Sequence, residues 1–208
     1  MFRLLVSIVG ILLAMPILAL IMRPFFLFRG LTPDDKRRKW PGDDEVPGAM
    51  PSGSRAITIR VPAEQLWPWI TQIGQDRAGF YSYRWLENLV GARMPKVESL
   101  RPEWKNREVG QKLLMAPTDR FGPIAAMEIV EVRPWHHMVA KNSEGTWAFI
   151  VEQVDLKTCR FIARGTWRPS LSWLARFFHA TVFDPIHYIM EWKMLRQVKR
   201  LAERRFNS

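Results

Sequence analysis

The stretch Asp184–Arg205 constrains the fold most, because it reads as one long amphipathic helix that the rest of the chain must be built to cover. Projected along a helix, Phe183, Ile186, Met190, Met194, Val198 and Leu201 fall on one face, and Lys193, Arg196, Lys199, Arg200, Glu203 and Arg204 lie at its margin or beyond. Pro185 suits a first helical position, with Asp184 before it as a cap for the free N–H groups. His187 and Gln197 also project into the apolar sector. A helix that only closed a core would more simply carry leucine there, so this face is expected to line a cavity. The competing reading is a satisfied core histidine and a glutamine at the rim.

At 208 residues the chain has room for one sizeable core and an appendage. Tryptophan is used 10 times, and each brings a large apolar area with one N–H to satisfy, which favours a deep core or an apolar pocket. The formal net charge of +11 points to an acidic partner, nucleic acid or an anionic bilayer surface. The arginines of the last helix form a possible phosphate-tracking stripe, but no nucleic-acid motif accompanies them, and the membrane is the expected partner. Cys159 is the single cysteine, so no intrachain disulfide can form.

Leu4 to Met22 is a run of 19 residues without a charge. As a helix it would span about 28 Å, close to the hydrocarbon thickness of a bilayer, and it is expected to be an uncleaved single-pass anchor. A cleaved signal peptide and a buried core helix are the rivals; the run exceeds a usual signal core, no A-x-A site ends it, and it has no polar face. Arg3 alone precedes it, whereas Arg23, Arg29, Lys36, Arg37, Arg38 and Lys39 follow, which places the C-terminal side in the cytoplasm. The resulting division is an anchor over 1–29, a Pro/Gly/charged tether over 30–54 and a domain over 55–205. The basic flank at 36–39, with Trp40, is expected to rest on anionic headgroups or to be plain solvated linker.

Within the domain, Ile57, Ile59 and Val61 alternate with Ala56, Thr58 and Arg60 as a half-buried strand. Helical spacing follows over 63–73 and 83–90, each closed by glycine. Strand-like runs then occupy 111–116, 124–132, 137–141, 146–154 and 158–167, separated by turn residues, and their close spacing implies an antiparallel meander. A short helix over 170–179 leads into the last one.

This order, and the segments QLWPWITQIGQDRAGFYSYRWLENLVG (65–91), RPEWKNREVG (101–110), GTWAFIVEQVD (145–155) and PIHYIMEWKMLRQVKRLAE (185–203), resembles bacterial members of the SRPBCC superfamily. That superfamily includes START-like lipid-transfer domains and polyketide cyclases/dehydrases. The resemblance implies an α+β helix-grip fold, a sheet wrapped on the C-terminal helix with a cavity between, and a hydrophobic small molecule or lipid as ligand. It implies no cofactor and carries over no catalytic residue.

The densest polar and aromatic cluster runs from Gln75 to Asn88, at the expected mouth of that cavity. Tyr81, Tyr83 and Arg84 are its candidate ligand contacts, joined by Trp147, His187, Met190 and Met194. A structural role, rings anchored in the core and Asp76 paired with arginine, is the alternative for most of the cluster. A cyclase or dehydratase would need a base and a donor, and His187 with Tyr81 or Tyr83 is the candidate pair. No metal site is expected: His136 and His137 would point to opposite faces of a strand, and His179 and His187 are too far apart in sequence. Nucleophile elbows and phosphate loops are absent from the sequence. The expected function is ligand binding by a membrane-tethered domain; an enzyme, or an interaction module with a filled cavity, are the alternatives.

Overall fold

Apolar residues at every second position build a six-stranded antiparallel sheet in the computed structural model, which describes residues 2–169 and 172–207, with side chains from residue 14 onward. The strands are β1 (Met50–Ile59), β2 (Lys112–Leu114), β3 (Ala126–Arg133), β4 (His137–Lys141), β5 (Gly145–Asp155) and β6 (Thr158–Trp167), in the order β1-β6-β5-β4-β3-β2. The helices are α1 (Phe2–Phe28), α2 (Pro33–Arg37), α3 (Ala63–Thr71), α4 (Arg84–Leu89), α5 (Thr118–Phe121), α6 (Trp173–Phe178) and α7 (Asp184–Phe206). The expected strands at 137–141 and 158–167 coincide with β4 and β6. Of the short helix expected over 170–179, residues 170 and 171 lie outside the described residues, and the rest is α6.

Register decides what each face of the sheet meets. Phe149 stands opposite Met138 on one side and Ala163 on the other, and this inner row packs with Ile59, Phe161 and the α7 residues Met194, Leu195 and Val198. The alternate row, Ala56, Val139, Ala148, Ile150 and Ile162, faces outward and is equally buried. β5 and β6 are therefore covered on both faces, which explains their nearly continuous apolar composition.

What covers the outer face is the segment expected to be a tether. Trp40 is buried against the outer row, its Nε1 donates to the Asp35 carbonyl at 2.8 Å, and the Arg38 guanidinium stacks 3.5 Å above its ring. Thr32 caps α2, whose Asp35 accepts from Arg160 of β6 at 2.5 Å; Arg164 of β6 binds Asp43 at 2.6 Å. Burial works to raise the Asp35 carboxyl, but the hydrogen bonds from Arg160 and Thr32 outweigh it and hold it at about 2. A high Pro, Gly and charge content here signals irregular backbone, not detachment: the acids are satisfied by arginines on the outer face of β6. Residues 50–54, assigned to the tether, already form the start of β1. The basic flank is likewise engaged, with Arg37 on Asp34, Arg38 on Glu152 and Lys39 on Asp44.

The end of α1 is fixed to the domain. Arg29 accepts at its carbonyl from Ala56 of β1 at 2.9 Å, and Gly30 then turns away at φ 78°, where a Cβ would strike the Ala56 carbonyl oxygen. Phe25 and Phe26 pack on the ring of Tyr188, and Arg23 binds Asp184 at 2.8 Å. Asp184 therefore does not cap a free helix end as expected. A π-helical turn, His179–Phe183, runs into α7 without a break, and the Asp184 carboxylate is shared by Arg23 and His179. The run Leu4–Met22 lies in α1; the side chains of 1–13 are outside the described residues, and among the described residues no helix is long and apolar enough to cross a membrane.

Candidate functional site

The inner face of the sheet and the first half of α7 touch through Arg55 and Trp147 on Glu191 and are otherwise held apart. Between them lies a cavity of about 590 Å³, closed laterally by α4 and the residues after it. Its walls are mainly apolar: Phe80, Leu86, Met94, Met115, Met127, Trp147, Phe183, Ile186, Met190 and Met194. Phe80 stacks on Trp147 with ring centres 5.4 Å apart, and Ser82 fixes the wall to α7 by donating to the Met190 carbonyl at 2.8 Å.

One polar cluster stands in this wall. Arg55 occupies an inward position of β1, on the same row as Ile57 and Ile59, and is 1% exposed. Its Nη1 binds Glu191 of α7, its Nε donates to the Phe26 carbonyl at 2.7 Å, and its Nη2 has no partner among the described residues. Trp147 Nε1 donates to the other oxygen of Glu191 at 3.0 Å. His187, one turn before Glu191, brings Nδ1 to 3.4 Å from Arg55 Nη1 and Nε2 to 3.8 Å from Glu191 Oε1. Phe183 stacks on the His187 ring with centres 5.6 Å apart, and Trp147 flanks it at 6.1 Å. Desolvation among these rings, with Arg55 beside it, pushes the imidazole below its ordinary value against the pull of Glu191.

The residues predicted as ligand contacts divide between two places. Trp147, His187, Met190 and Met194 line the 590 Å³ cavity. Tyr81, Tyr83 and Arg84 line a separate cleft of about 340 Å³ on the other side of Phe80, Ser82 and Glu87. Tyr81 sits there in a left-handed backbone conformation (φ 54°), and its hydroxyl accepts from Gln72 Nε2 at 3.2 Å within the core. Burial raises that hydroxyl well above the usual phenol range, which suits an anchored ring and not a proton donor. The ring of Tyr83 lies under Lys193 Nζ at 5.8 Å. His187 and Tyr83 are thus not brought together as an acid/base pair. Asp76 pairs with Arg77 at 3.9 Å, as the structural reading of that cluster expects, and with Arg107 at 3.3 Å.

Three residues of the site escape a sequence reading that looks for polar side chains at a loop. Arg55 is legible by parity, since it shares the inward row with Ile57 and Ile59. Glu191 is legible only as the residue one turn beyond His187. Glu87 has no such signal: it lines both cavities, is 8% exposed, and burial alone pushes its carboxyl up to about 7.

No protein-family model matches the sequence, and no curated protein does. Among solved structures the chain is similar to a polyketide-cyclase-like protein of Corynebacterium glutamicum, at 16% identity over 77% of this chain and 96% of that one, with a TM-score of 0.37. A protein of Mesorhizobium loti matches at 12% identity over 73% and 97% of the two chains (TM-score 0.38), and one of Bacillus halodurans at 12% over 75% and 99% (TM-score 0.42). The architecture itself carries the fold: six antiparallel strands packed on one long C-terminal helix, with a cavity held between them, form the α+β helix-grip arrangement.

Proposed function

We propose that this protein binds a hydrophobic small molecule or lipid in the cavity between the sheet and α7, and that α1 tethers it to a membrane with the domain on the cytoplasmic side. The observation that carries the binding reading is the cavity. Its 590 Å³ falls in the range of about 300–1,000 Å³ typical of small-molecule sites, with aromatic and methionine walls and a few placed polar groups.

The membrane part rests on separate support. Met15, Ile17, Leu18 and Ile21 of α1 are exposed, and so are Trp173, Leu174 and Phe178 of α6. Both helices pack beside the π-helical turn whose His179 and Phe183 line the cavity. An apolar surface at the cavity mouth is costly in water and favoured at a bilayer, and it would let a poorly soluble ligand pass without crossing solvent. The acid/base pair that a cyclase or dehydratase reading called on is not assembled, because Tyr81 and Tyr83 lie in the other cleft from His187.

The test uses the full chain in phosphatidylcholine nanodiscs and the neutral fluorescent probe N-phenyl-1-naphthylamine. Saturable binding is expected, together with its loss in Met190→Trp, whose indole would fill the void. A wild-type protein that does not bind the probe, or a Met190→Trp variant that binds it unchanged, sinks the proposal.

A further inference from the structure

The 340 Å³ cleft is chemically unlike its neighbour. Four cationic side chains, Arg84, Lys96, Lys193 and Arg200, line it, and no ion pair joins any of them to a carboxylate among the described residues. The buried or half-buried arginines Arg23, Arg55, Arg160 and Arg164, by contrast, are each matched by an acid. Two acids also line the cleft. Glu98 is engaged by Gln197, whose Nε2 donates to it at 3.2 Å. Glu87 is the other, and its carboxyl makes no hydrogen bond among the described residues. A concave surface with unmatched positive charge favours an anion, and guanidinium groups favour oxyanions such as phosphate or carboxylate.

The cleft and the apolar cavity have three residues in common: Phe80, Ser82 and Glu87. One compartment is apolar and lacks a free cation, since Arg55 is committed to Glu191 behind its wall. The other is basic and too small for a long chain. A single molecule with an apolar tail and an anionic head satisfies both.

Resting on the cavity reading above, we propose that the ligand is an amphipathic anion: its apolar chain fills the 590 Å³ cavity, and its phosphate or carboxylate head passes Phe80, Ser82 and Glu87 into the basic cleft formed by Arg84, Lys96, Lys193 and Arg200. Glu87 sits where the chain meets the head, and with its carboxyl held at about 7 it is half protonated at neutral pH, able to donate a hydrogen bond to the head instead of repelling it.

The experiment compares displacement of N-phenyl-1-naphthylamine from the full chain in phosphatidylcholine nanodiscs by dodecyl phosphate and by dodecanol. Dodecyl phosphate is expected to compete at least 10-fold better, and the advantage is expected to shrink with added salt. In the Lys193→Glu/Arg200→Glu variant, with thermal unfolding as the check on folding, the ratio of the two is expected to fall toward 1; the single Lys96→Glu variant is expected to lower it in part. Probe binding with equal displacement by the two amphiphiles overturns this inference and leaves the cavity reading standing, whereas no probe binding overturns both. A ratio unchanged in both charge variants also overturns it. Lysophosphatidic acid held in vesicles serves as a second source of the same head: its extraction assigns a membrane ligand, and capture of monomeric dodecyl phosphate alone assigns a soluble one.

Discussion

In its second half α7 buries Leu195, Val198 and Leu201 against the inner face of the sheet and α3, and nothing is left between them. Toward its start the same stripe continues through Ile186 and, in the π-helical turn before it, Phe183, yet these stay 49% and 47% exposed where they border the cavity. Helical periodicity is identical in the two halves; what differs is whether the sheet supplies side chains to meet it. The cavity half is held by other means: Asp184 is tied to Arg23 and His179, and Glu191 to Arg55 and Trp147. One end of the helix is secured by packing and the other by buried charge, which leaves apolar surface free for a ligand without letting the helix drift.

The sharpest way to break that comparison is to remove one buried charge. Glu191→Gln strips the partner from an arginine that is 1% exposed and already has one unpartnered nitrogen. The expected loss is about 3–5 kcal/mol of unfolding free energy, read from urea titration, since a lone buried charge keeps its desolvation cost. The double variant Arg55→Met/Glu191→Leu is expected to regain most of it. A loss below about 1 kcal/mol for Glu191→Gln would mean that packing holds both halves alike.

A second test is the pH dependence of Glu87, which faces the first half of the helix across the cavity. Its folded carboxyl titrates at about 7 against an ordinary 4.5, so ionisation is disfavoured in the folded state and stability is lost as pH rises from 4.5 through 7. Glu87→Gln is expected to stabilise by up to about 3 kcal/mol at pH 8, with the gain vanishing below the ordinary carboxylate range. Denaturation of the two proteins at pH 4 and pH 8 checks it, and an equal difference at both pH values would show that Glu87 is solvated.

Much of this was legible in the residues. Each predicted strand and helix of 55–205 has a counterpart, because alternation, helical spacing and turn residues are local signals. The last helix was also read correctly as lining a cavity, since His187 stands on its apolar face. What was not legible depends on contacts between distant segments. Trp40 and Asp35 look like linker residues until Arg160 and the outer row of β6 are set beside them, and 30–54 therefore reads as a tether. Tyr81, Tyr83 and Arg84 read as one site with Trp147 and Met190 because the loop cluster and the apolar face of the last helix are both expected at one cavity; Phe80, from the same loop, divides them by stacking on Trp147. No spacing rule reports such a partition.

The smallest expected effect is the most discriminating between the two halves. Leu195→Ala, in the packed half, should cost about 2–5 kcal/mol as other buried leucines do, because it opens a void where none existed. Ile186→Ala removes the same three carbons, but from a side chain that is half exposed and borders an existing void, so it loses few contacts and creates no new cavity wall. Its expected cost is below about 1 kcal/mol. Binding should respond in the opposite sense: Ile186→Ala should weaken N-phenyl-1-naphthylamine binding several-fold by removing a wall of the cavity, while Leu195→Ala, if it remains folded, should leave the cavity wall in place. A stability cost for Ile186→Ala as large as that for Leu195→Ala would mean that the first half of α7 is closed against the sheet in solution, and the cavity with it.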